Sequence, residues 1–125
     1  MKMNIEDIIN SSESFDLEFK SAKGGFPGSF WETYSSFANT QGGQIFLGIK
    51  ETQQGLKVDG LDKTAIEKYK KDFWNNVNNR NKVSANILSQ NDIKEIETPE
   101  GIVLGINVPR ADLRVRPVYI NGNPN

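Results

Sequence analysis

The chain changes from helical to strand-like patterning within a few residues, and this change limits its possible folds more than any other feature. The apolar residues of segment 29–39 recur at helical spacing and are Phe30, Tyr34, Phe37 and Ala38. Segment 39–43, Asn-Thr-Gln-Gly-Gly, then breaks the pattern, and glycine readily adopts the left-handed conformation that ends many helices. The apolar run 44–50 follows directly and is typical of a central strand. A helix that leads into a strand in this way predicts an α+β domain.

The remaining patterns complete this prediction. Apolar and charged residues alternate over 15–22, which indicates a strand, and helical spacing recurs at the start of the chain and after residue 63. Residues 51–60 are predicted to form a polar loop, and Pro99-Glu100-Gly101 a tight turn within a hairpin. The predicted elements are helices over 4–10, 29–39 and about 64–77, and strands over 15–22, 44–50, 83–87, 93–98 and 102–108. The fold class is therefore a mixed β-sheet packed with two main helices, in the order (α)-β-α-β-α-β-β-β.

Two local details of this prediction concern single residues. Ser29 and Glu32 have the S-x-x-E spacing of a capping box, in which the two side chains satisfy backbone N–H groups at a helix start. Gly48, inside the central strand, indicates a bulge or a close approach by another segment.

The chain has no cysteine and no histidine, and this excludes several classes of chemistry. Thiol catalysis, Ser-His-Asp catalysis, and zinc or iron–sulfur sites that need cysteine or histidine ligands are all ruled out or disfavoured. We expect no cofactor. A bound metal would have to be one that prefers oxygen ligands, such as magnesium or manganese.

The charge balance gives no general attraction to polyanions, because the net charge of the 125 residues is −1. Nucleic-acid binding would therefore depend on a local basic patch. The candidate residues for such a patch are Lys20, Lys23, Arg110, Arg114 and Arg116. The alternative is that these side chains are solvated or paired with acids. No segment is apolar enough for a membrane span and no signal peptide begins the chain, so we expect a cytoplasmic protein without a membrane partner.

The charged face of the first strand is a second candidate site. Asp16, Glu18 and Lys20 lie on one face of it, and Glu13 precedes them. Carboxylates near a lysine could hold a metal ion and orient a phosphate, as a phosphodiesterase site requires. The alternative is an ordinary solvated strand face.

The residues around the helix-to-strand change could also be functional. The backbone N–H groups of segment 39–43 could receive a phosphate, or the segment could simply end a helix. It is not a P-loop, because no lysine followed by serine or threonine comes after its glycines.

Three stretches in this order together resemble the Schlafen AlbA-like domain family, also described as a divergent AAA-type domain. They are ESFDLEFK at residues 13–20, FANTQGGQIFLGIKE at residues 37–51 and INVPRADLRVRPVY at residues 106–119. The most specific parts are E-S-x-x-L-E-F-K at residues 13–20 and A-N-T-x-G-G-x-I-x-L-G-I at residues 38–49. Its structural motif corresponds here to Asn39, Thr40, Gly42, Gly43 and Gly48. Bacterial members are described as transcriptional regulators that carry this domain at the N-terminus, so the resemblance implies binding to DNA more than to RNA.

The resemblance also implies an alternative activity. Animal Schlafen proteins use this domain as a metal-dependent endoribonuclease with three acidic residues, which correspond here to Glu13, Glu18 and Glu51, with Lys20 as a phosphate contact. Mg²⁺ or Mn²⁺ would be the cofactor. Since the Schlafen nuclease pairs two copies of the domain, a homodimer is a further expectation. A third alternative is a protein-interaction or oligomerisation module.

The end of the chain suggests a longer protein. Residues 118–120 resemble a strand that enters an Asn-Gly turn, and such a turn normally returns into a partner strand. We therefore expect residues 1–125 to form one domain at the N-terminal end of a longer chain.

Overall fold

The structure is a computed structural model that describes residues 2–12, 16–79, 86, 88–112, 114, 116–118 and 120. Glu13, Phe15 and the predicted strand over 83–87, except for Asn86, lie outside the described residues. The helices are α1 (Ile5–Asn10), α2 (Phe30–Asn39) and α3 (Lys63–Val77), and a 3₁₀ turn spans Gln90–Asp92. The strands are β1 (Leu17–Lys20), β2 (Gly43–Leu47), β3 (Ile49–Thr52), β4 (Gly55–Val58), β5 (Ile93–Thr98) and β6 (Gly101–Val108).

Four strands form the main sheet, in the order β1-β2-β6-β5. β1 is parallel to β2, whereas β6 is antiparallel to both β2 and β5. Together with the helices, this mixed sheet confirms the predicted α+β class. The predicted hairpin around Pro99-Glu100-Gly101 is confirmed as well, because β5 and β6 pair from Thr98–Gly101 back to Ile93–Ile106.

The two faces of the main sheet carry different hydrophobic clusters. One face packs against α2 and α3. The buried cluster between them includes Ile45 and Leu104 from the sheet and Phe73 from α3. The opposite face packs against α1 and the β3–β4 hairpin, around Phe46 and Val103. Side chains alternate between the faces along each strand, so the register decides which cluster each residue joins.

The alternation of β1 follows the same rule. Leu17 and Phe19 pack against the cluster on the α1 side, and the Phe19 ring stacks on Phe46 with ring centroids 5.6 Å apart. Glu18 and Lys20 pair with Ile45 and Leu47, and therefore lie on the face that carries α2 and α3.

The polar loop predicted for residues 51–60 is wrong, because β3 and β4 form a two-stranded hairpin there. Its turn is closed by Thr52, whose hydroxyl donates to the Gly55 carbonyl at 2.7 Å and accepts from the Gln54 N–H at 3.2 Å. Most residues of the hairpin are exposed, so the apolar alternation that normally identifies a strand is weak.

Gly48 divides the predicted strand over 44–50 into β2 and β3. Its φ is +105°, a conformation that favours glycine, and a Cβ atom would lie 3.3 Å from the Ile102 carbonyl oxygen. Its N–H donates to the Lys20 carbonyl at 2.9 Å and its carbonyl accepts from the Asp59 N–H at 2.7 Å. The close approach predicted at Gly48 is therefore confirmed.

The capping box predicted at Ser29 and Glu32 is wrong. Ser29 is the N-cap residue of α2, but its side chain makes no hydrogen bond to the helix. Its φ and ψ of −77° and −4° are already helical, whereas a capping side chain normally needs an extended backbone at this position. Separately, none of the helices described is long and apolar enough to cross a bilayer.

Candidate nucleic-acid interface

The carboxyl end of β1 brings a lysine to the start of α2. Lys20 Nζ donates to Ser29 Oγ at 2.9 Å. The Ser29 hydroxyl is therefore used by a cation instead of by the helix N–H groups. The amino end of a helix carries partial positive charge, so this end of the molecule combines a lysine with a favourable helix terminus for an anion.

A second lysine lies in the loop between β1 and α2. Lys23 Nζ is 3.5 Å from Asp59 Oδ1, and the lysine side chain is 73% exposed. The other carboxylate oxygen of Asp59 accepts from the Ser21 hydroxyl at 2.8 Å. Exposed ion pairs contribute only about 0–1 kcal/mol, so Lys23 can exchange this partner for a phosphate at little cost.

The loop itself leaves space for a ligand. A Cβ atom added at Gly24, Gly25 or Gly28 would meet no heavy atom within 4 Å. A polyanion can therefore approach Lys20 and Lys23 without displacing the loop. We call Lys20, Lys23 and these three glycines the lysine loop.

The arginine cluster, Arg110, Arg114 and Arg116, lies away from the lysine loop. Lys20 is next to Leu47 at one end of β2, whereas Arg110 follows Val108, which pairs with Gly43 at the other end. A five-residue strand spans roughly 16 Å at about 3.3 Å per residue. The five predicted phosphate contacts therefore form two groups at opposite ends of β2.

One acidic side chain, Asp112, interacts with two residues of the arginine cluster. The Asp112 carboxylate accepts hydrogen bonds from the Arg114 backbone N–H at 2.9 Å and from Arg114 Nε at 3.2 Å. These two bonds hold the pKa of Asp112 below its usual value, and the positive charge of Arg116 lowers it further. The Nε atom of the half-buried Arg116 has no hydrogen-bond partner among the described residues.

The predicted acidic residues are distributed over two strands. Glu18 is half-buried on β1, level with Ile45 on β2, and Glu51 is exposed on β3, opposite Leu56. Glu51 is 51 − 45 = 6 residues further along the chain than Ile45, beyond the bend at Gly48. In the ranges that the structure describes, no three acidic residues lie together in a group that could hold a metal ion. Because Glu13 lies outside those ranges, the three-acid metal site stays a prediction.

The Asn-Thr-Gln-Gly-Gly segment ends α2 and connects it to the C-terminal segment. Asn39 Nδ2 donates to the Val118 carbonyl at 2.7 Å, and Asn39 Oδ1 accepts from the Val118 N–H at 2.6 Å. Thr40 donates its hydroxyl proton to the Ser36 carbonyl at 2.9 Å. The side chain of Asn39 thus binds the backbone of the C-terminal segment as a neighbouring strand would.

The glycines of this segment allow close packing. Gly42 has a φ of +82°, and its added Cβ would lie 2.7 Å from the Val108 carbonyl oxygen. At Gly43 a Cβ would lie 2.5 Å from the Phe37 ring. The Gly42 N–H donates to the Phe37 carbonyl at 2.8 Å, so it is already used in ending the helix. These contacts support the helix-ending interpretation of the segment over the phosphate-binding one.

Sequence reasoning missed the polar groups that hold the lysines. Ser21, Ser29 and Asp59 come from two loops separated along the chain, and only the pairing of β1 with β2 and the bend at Gly48 bring them together. The S-x-x-E pattern drew attention to Ser29, but for a different role.

Comparisons with known proteins agree with this architecture. The model of the family described as Schlafen, AlbA_2 matches residues 13–123. None of the curated proteins matches the chain. Among solved structures, the N-terminal domain of an ATP-dependent DNA helicase RecG-related protein from Nitrosomonas europaea is similar, with a TM-score of 0.69 and 22% sequence identity. The match covers 95% of this chain and 80% of that one, and at this identity it shows the likeness of the folds.

Proposed function

This chain belongs to the Schlafen AlbA_2 family, and on that premise we propose that it is a nucleic-acid-binding domain. We propose further that it binds DNA in preference to RNA and serves a transcriptional regulator. The observation that carries the proposal is the lysine loop, where Lys20 and Lys23 lie beside three unobstructed glycines at the start of α2. The structural neighbour supports it, since that protein is related to a DNA helicase.

The proposed contact is between cations and phosphates. Net charge gives no long-range attraction, so affinity has to come from a few short contacts. The lysine loop supplies two cations and the arginine cluster supplies others at the opposite end of β2. A nucleic acid that contacts both groups would have to run along the sheet for roughly 16 Å, about five base steps at 3.4 Å of rise each.

The test is the salt dependence of binding. Fluorescence anisotropy of labelled single-stranded DNA, duplex DNA and RNA would be measured between about 50 mM and about 200 mM salt. For duplex DNA, log K should fall linearly with log salt concentration, with a slope of about −0.9 for each phosphate neutralised. The proposal is wrong if no nucleic acid binds at low salt, or if the affinity does not change with salt.

Variants locate the surface. Lys20→Gln and Lys23→Gln should each weaken binding to all sequences alike and make the slope shallower by about 1. Lys68→Gln is the matched control, because Lys68 is an exposed lysine on α3 and belongs to neither cation group. Thermal unfolding of Lys20→Gln checks that the loss of the Ser29 contact leaves the fold intact.

A metal-dependent endoribonuclease is the second candidate, favoured by the position of Glu18 and Lys20 on one face of β1. Of the three predicted metal ligands the structure describes Glu18 and Glu51, and among the described residues no group of three acidic side chains could hold a metal ion. The described residues therefore do not assemble a metal centre, and we derive no catalytic step through one. A nuclease assay with Glu18→Gln, described in the Discussion, tests this candidate directly.

A further inference from the structure

A groove lies on the face of the main sheet that is turned away from α2 and α3. It is bounded by α1, by β2, β6 and β5, and by the 3₁₀ turn at Gln90–Asp92, and has a volume of about 450 Å³. This volume is within the range of small-molecule sites. Apolar side chains such as Ile8, Phe46 and Ile96 alternate with polar ones around it.

The depth of the groove comes from a glycine in the middle of β6. Gly105 pairs with Phe46 on one side and with Lys94 on the other. An added Cβ would lie 3.2 Å from Ile96 Cδ1 and 3.4 Å from the Phe46 ring, so any side chain would fill the floor. The φ of Gly105 is not in the left-handed region, and the backbone therefore does not require glycine. Glycine within a strand often marks a place that another molecule approaches closely.

Two carboxamide side chains lie next to each other in this groove. Gln44 and Asn107 are register partners on β2 and β6, so their Cβ atoms are about 4.5–5.5 Å apart on the same face. Asn107 Nδ2 donates to Asp92 Oδ1 at 3.1 Å, which leaves Asn107 Oδ1 as an acceptor. Asp92 is itself fixed, because its Oδ2 accepts from the Ser89 N–H at 2.9 Å.

Unlike Asn107, the Gln44 side chain has a polar atom without a partner. Its Oε1 atom is buried and has no hydrogen-bond partner among the described residues. Buried polar atoms in folded proteins almost always have a partner. The groove therefore presents one oriented acceptor at Asn107, and the half-buried Gln44 side chain in its lining carries a carboxamide oxygen without a partner among the described residues.

A planar group with a donor and an acceptor side by side complements a free carboxamide. The amino edge of adenine is such a group, and glutamine recognises it through two hydrogen bonds. Guanine presents two acceptors at the equivalent edge and suits a cation instead. Lys94 is exposed at the side of the groove and supplies a cation for the phosphate that the ribose of a nucleotide carries.

From these observations we propose that the groove binds the adenine base of a nucleotide, with Gln44 reading its amino edge, Asn107 Oδ1 as a second acceptor and Lys94 at the phosphate. The base could belong to a free mononucleotide or to an unpaired position of a nucleic-acid strand. Only the second source rests on the function proposed above. The groove and the lysine loop lie on different faces of the sheet, so they can be tested separately.

The test is a nuclear magnetic resonance titration of the ¹⁵N-labelled chain with AMP, with UMP as the comparison. AMP should shift the amide signals of Gln44, Gly105 and Asn107 and bind more tightly than UMP. Gln44→Leu removes the carboxamide at similar size and should weaken AMP binding between about 5-fold and about 150-fold. Gln54→Leu, at the exposed tip of the β3–β4 hairpin, is the matched control and should leave the affinity unchanged.

Two further measurements exclude a merely structural role. Gln44→Leu should not lower Tm, because it removes a buried oxygen that has no partner among the described residues. Gly105→Ala should weaken AMP binding by filling the floor, whereas Gly24→Ala, where nothing lies within 4 Å, should not. The proposal is overturned if AMP and UMP bind equally, if AMP shifts no groove amide, or if Gln44→Leu binds AMP as the unmodified chain does.

Oligonucleotides separate the two sources of the base. If a strand supplies it, Gln44→Leu should lower the affinity for an adenine-containing strand and leave an all-thymine strand unaffected. If free nucleotide is the ligand, both strands should bind Gln44→Leu and the unmodified chain alike while AMP still discriminates. AMP binding that survives Lys20→Gln, combined with loss of strand binding, would show that the groove works independently of the phosphate surface. Strand binding without any AMP binding would refute the proposed adenine site and leave the proposed nucleic-acid-binding function standing.

Discussion

The side chain of Asn39 should be one of the largest single contributors to the stability of this domain. It makes hydrogen bonds to both the N–H and the carbonyl of Val118, at 2.6 and 2.7 Å, and Val118 is 1% exposed. The carbonyl has another donor in the Ser35 hydroxyl, whereas the N–H has no other acceptor among the described residues. Loss of Asn39 would therefore leave a buried donor without an acceptor.

The magnitude follows from these contacts. A buried N–H that loses its acceptor costs about 1–3 kcal/mol. Loss of the second bond, to the Val118 carbonyl, adds only about 0.5–1 kcal/mol, because Ser35 still donates to that carbonyl. Asn39→Ala should thus lower the free energy of unfolding by about 1.5–4 kcal/mol. For a domain of this size each kcal/mol corresponds to roughly 3–5 °C, so Tm should fall by roughly 5–20 °C.

Two matched variants separate hydrogen bonding from packing. Asn39→Asp keeps the size of the side chain and the acceptor for the Val118 N–H, but places a carboxylate oxygen against the Val118 carbonyl. It should destabilise at least as much as Asn39→Ala, although it creates no cavity. Ser35→Ala removes only the redundant donor and should cost about 0.5–1 kcal/mol.

Urea unfolding followed by circular dichroism measures all three variants. The expected order of destabilisation is Asn39→Asp, then Asn39→Ala, then Ser35→Ala. A change below about 0.5 kcal/mol for Asn39→Ala, the usual range of surface substitutions, would refute the reasoning.

Three further predictions follow from other parts of the structure. Gly42→Ala should destabilise by about 1–3 kcal/mol because its φ is +82° and its Cβ would contact the Val108 carbonyl at 2.7 Å; thermal unfolding beside Gly24→Ala, which has open space, measures this. Glu18→Gln should abolish any manganese-dependent cleavage of end-labelled RNA while leaving the circular dichroism spectrum unchanged; equal cleavage by both proteins would eliminate Glu18 as a metal ligand. Asp112→Asn should increase DNA affinity, because it removes the negative charge that pairs with Arg114. Anisotropy at low salt measures this, and an unchanged affinity would show that the arginine cluster does not contact DNA.

The lowered pKa of Asp112 also fixes the direction of one pH effect. A carboxyl whose folded pKa lies below its unfolded value stabilises the folded state above the unfolded pKa, and this contribution is lost as the pH falls through the folded pKa. The difference in unfolding free energy between the unmodified chain and Asp112→Asn should therefore narrow as the pH falls through the folded pKa, which urea unfolding at a series of pH values measures.

Local patterns were sufficient for the elements whose residues alternate or recur clearly. The alternation around Phe19 predicted β1, and Pro99-Glu100-Gly101 predicted the turn of the β5–β6 hairpin. The β3–β4 hairpin was missed because it exposes polar side chains and turns through two glutamines, without the Asn-Gly or Asp-Gly pair that usually marks a tight hairpin.

The positions of the candidate site residues relative to one another depend on strand pairing, which no short stretch of the sequence reveals. The predicted cations are residue types that suit a phosphate surface, but only the antiparallel pairing of β2 with β6 shows that Lys20 and Arg110 lie at opposite ends. In the same way, Gln44 and Asn107 become neighbours only through the sheet register. The role of Asn39 was hidden for a related reason, since Val118 is 118 − 39 = 79 positions away in the chain.

The bend at Gly48 also determines where this domain can tolerate changes in length. Beyond the bend, the chain returns to the main sheet through Gly60 and Leu61, where Leu61 and Ile102 exchange two backbone hydrogen bonds of 2.9 Å. A Cβ at Gly60 would lie 2.4 Å from the Glu100 carbonyl oxygen, so the two turns touch backbone to backbone. Insertions or deletions at this junction would separate the hairpin from the sheet. The tip at Gln53 and Gln54 is exposed and can be lengthened or replaced, so relatives should diverge in length there and keep the junction constant.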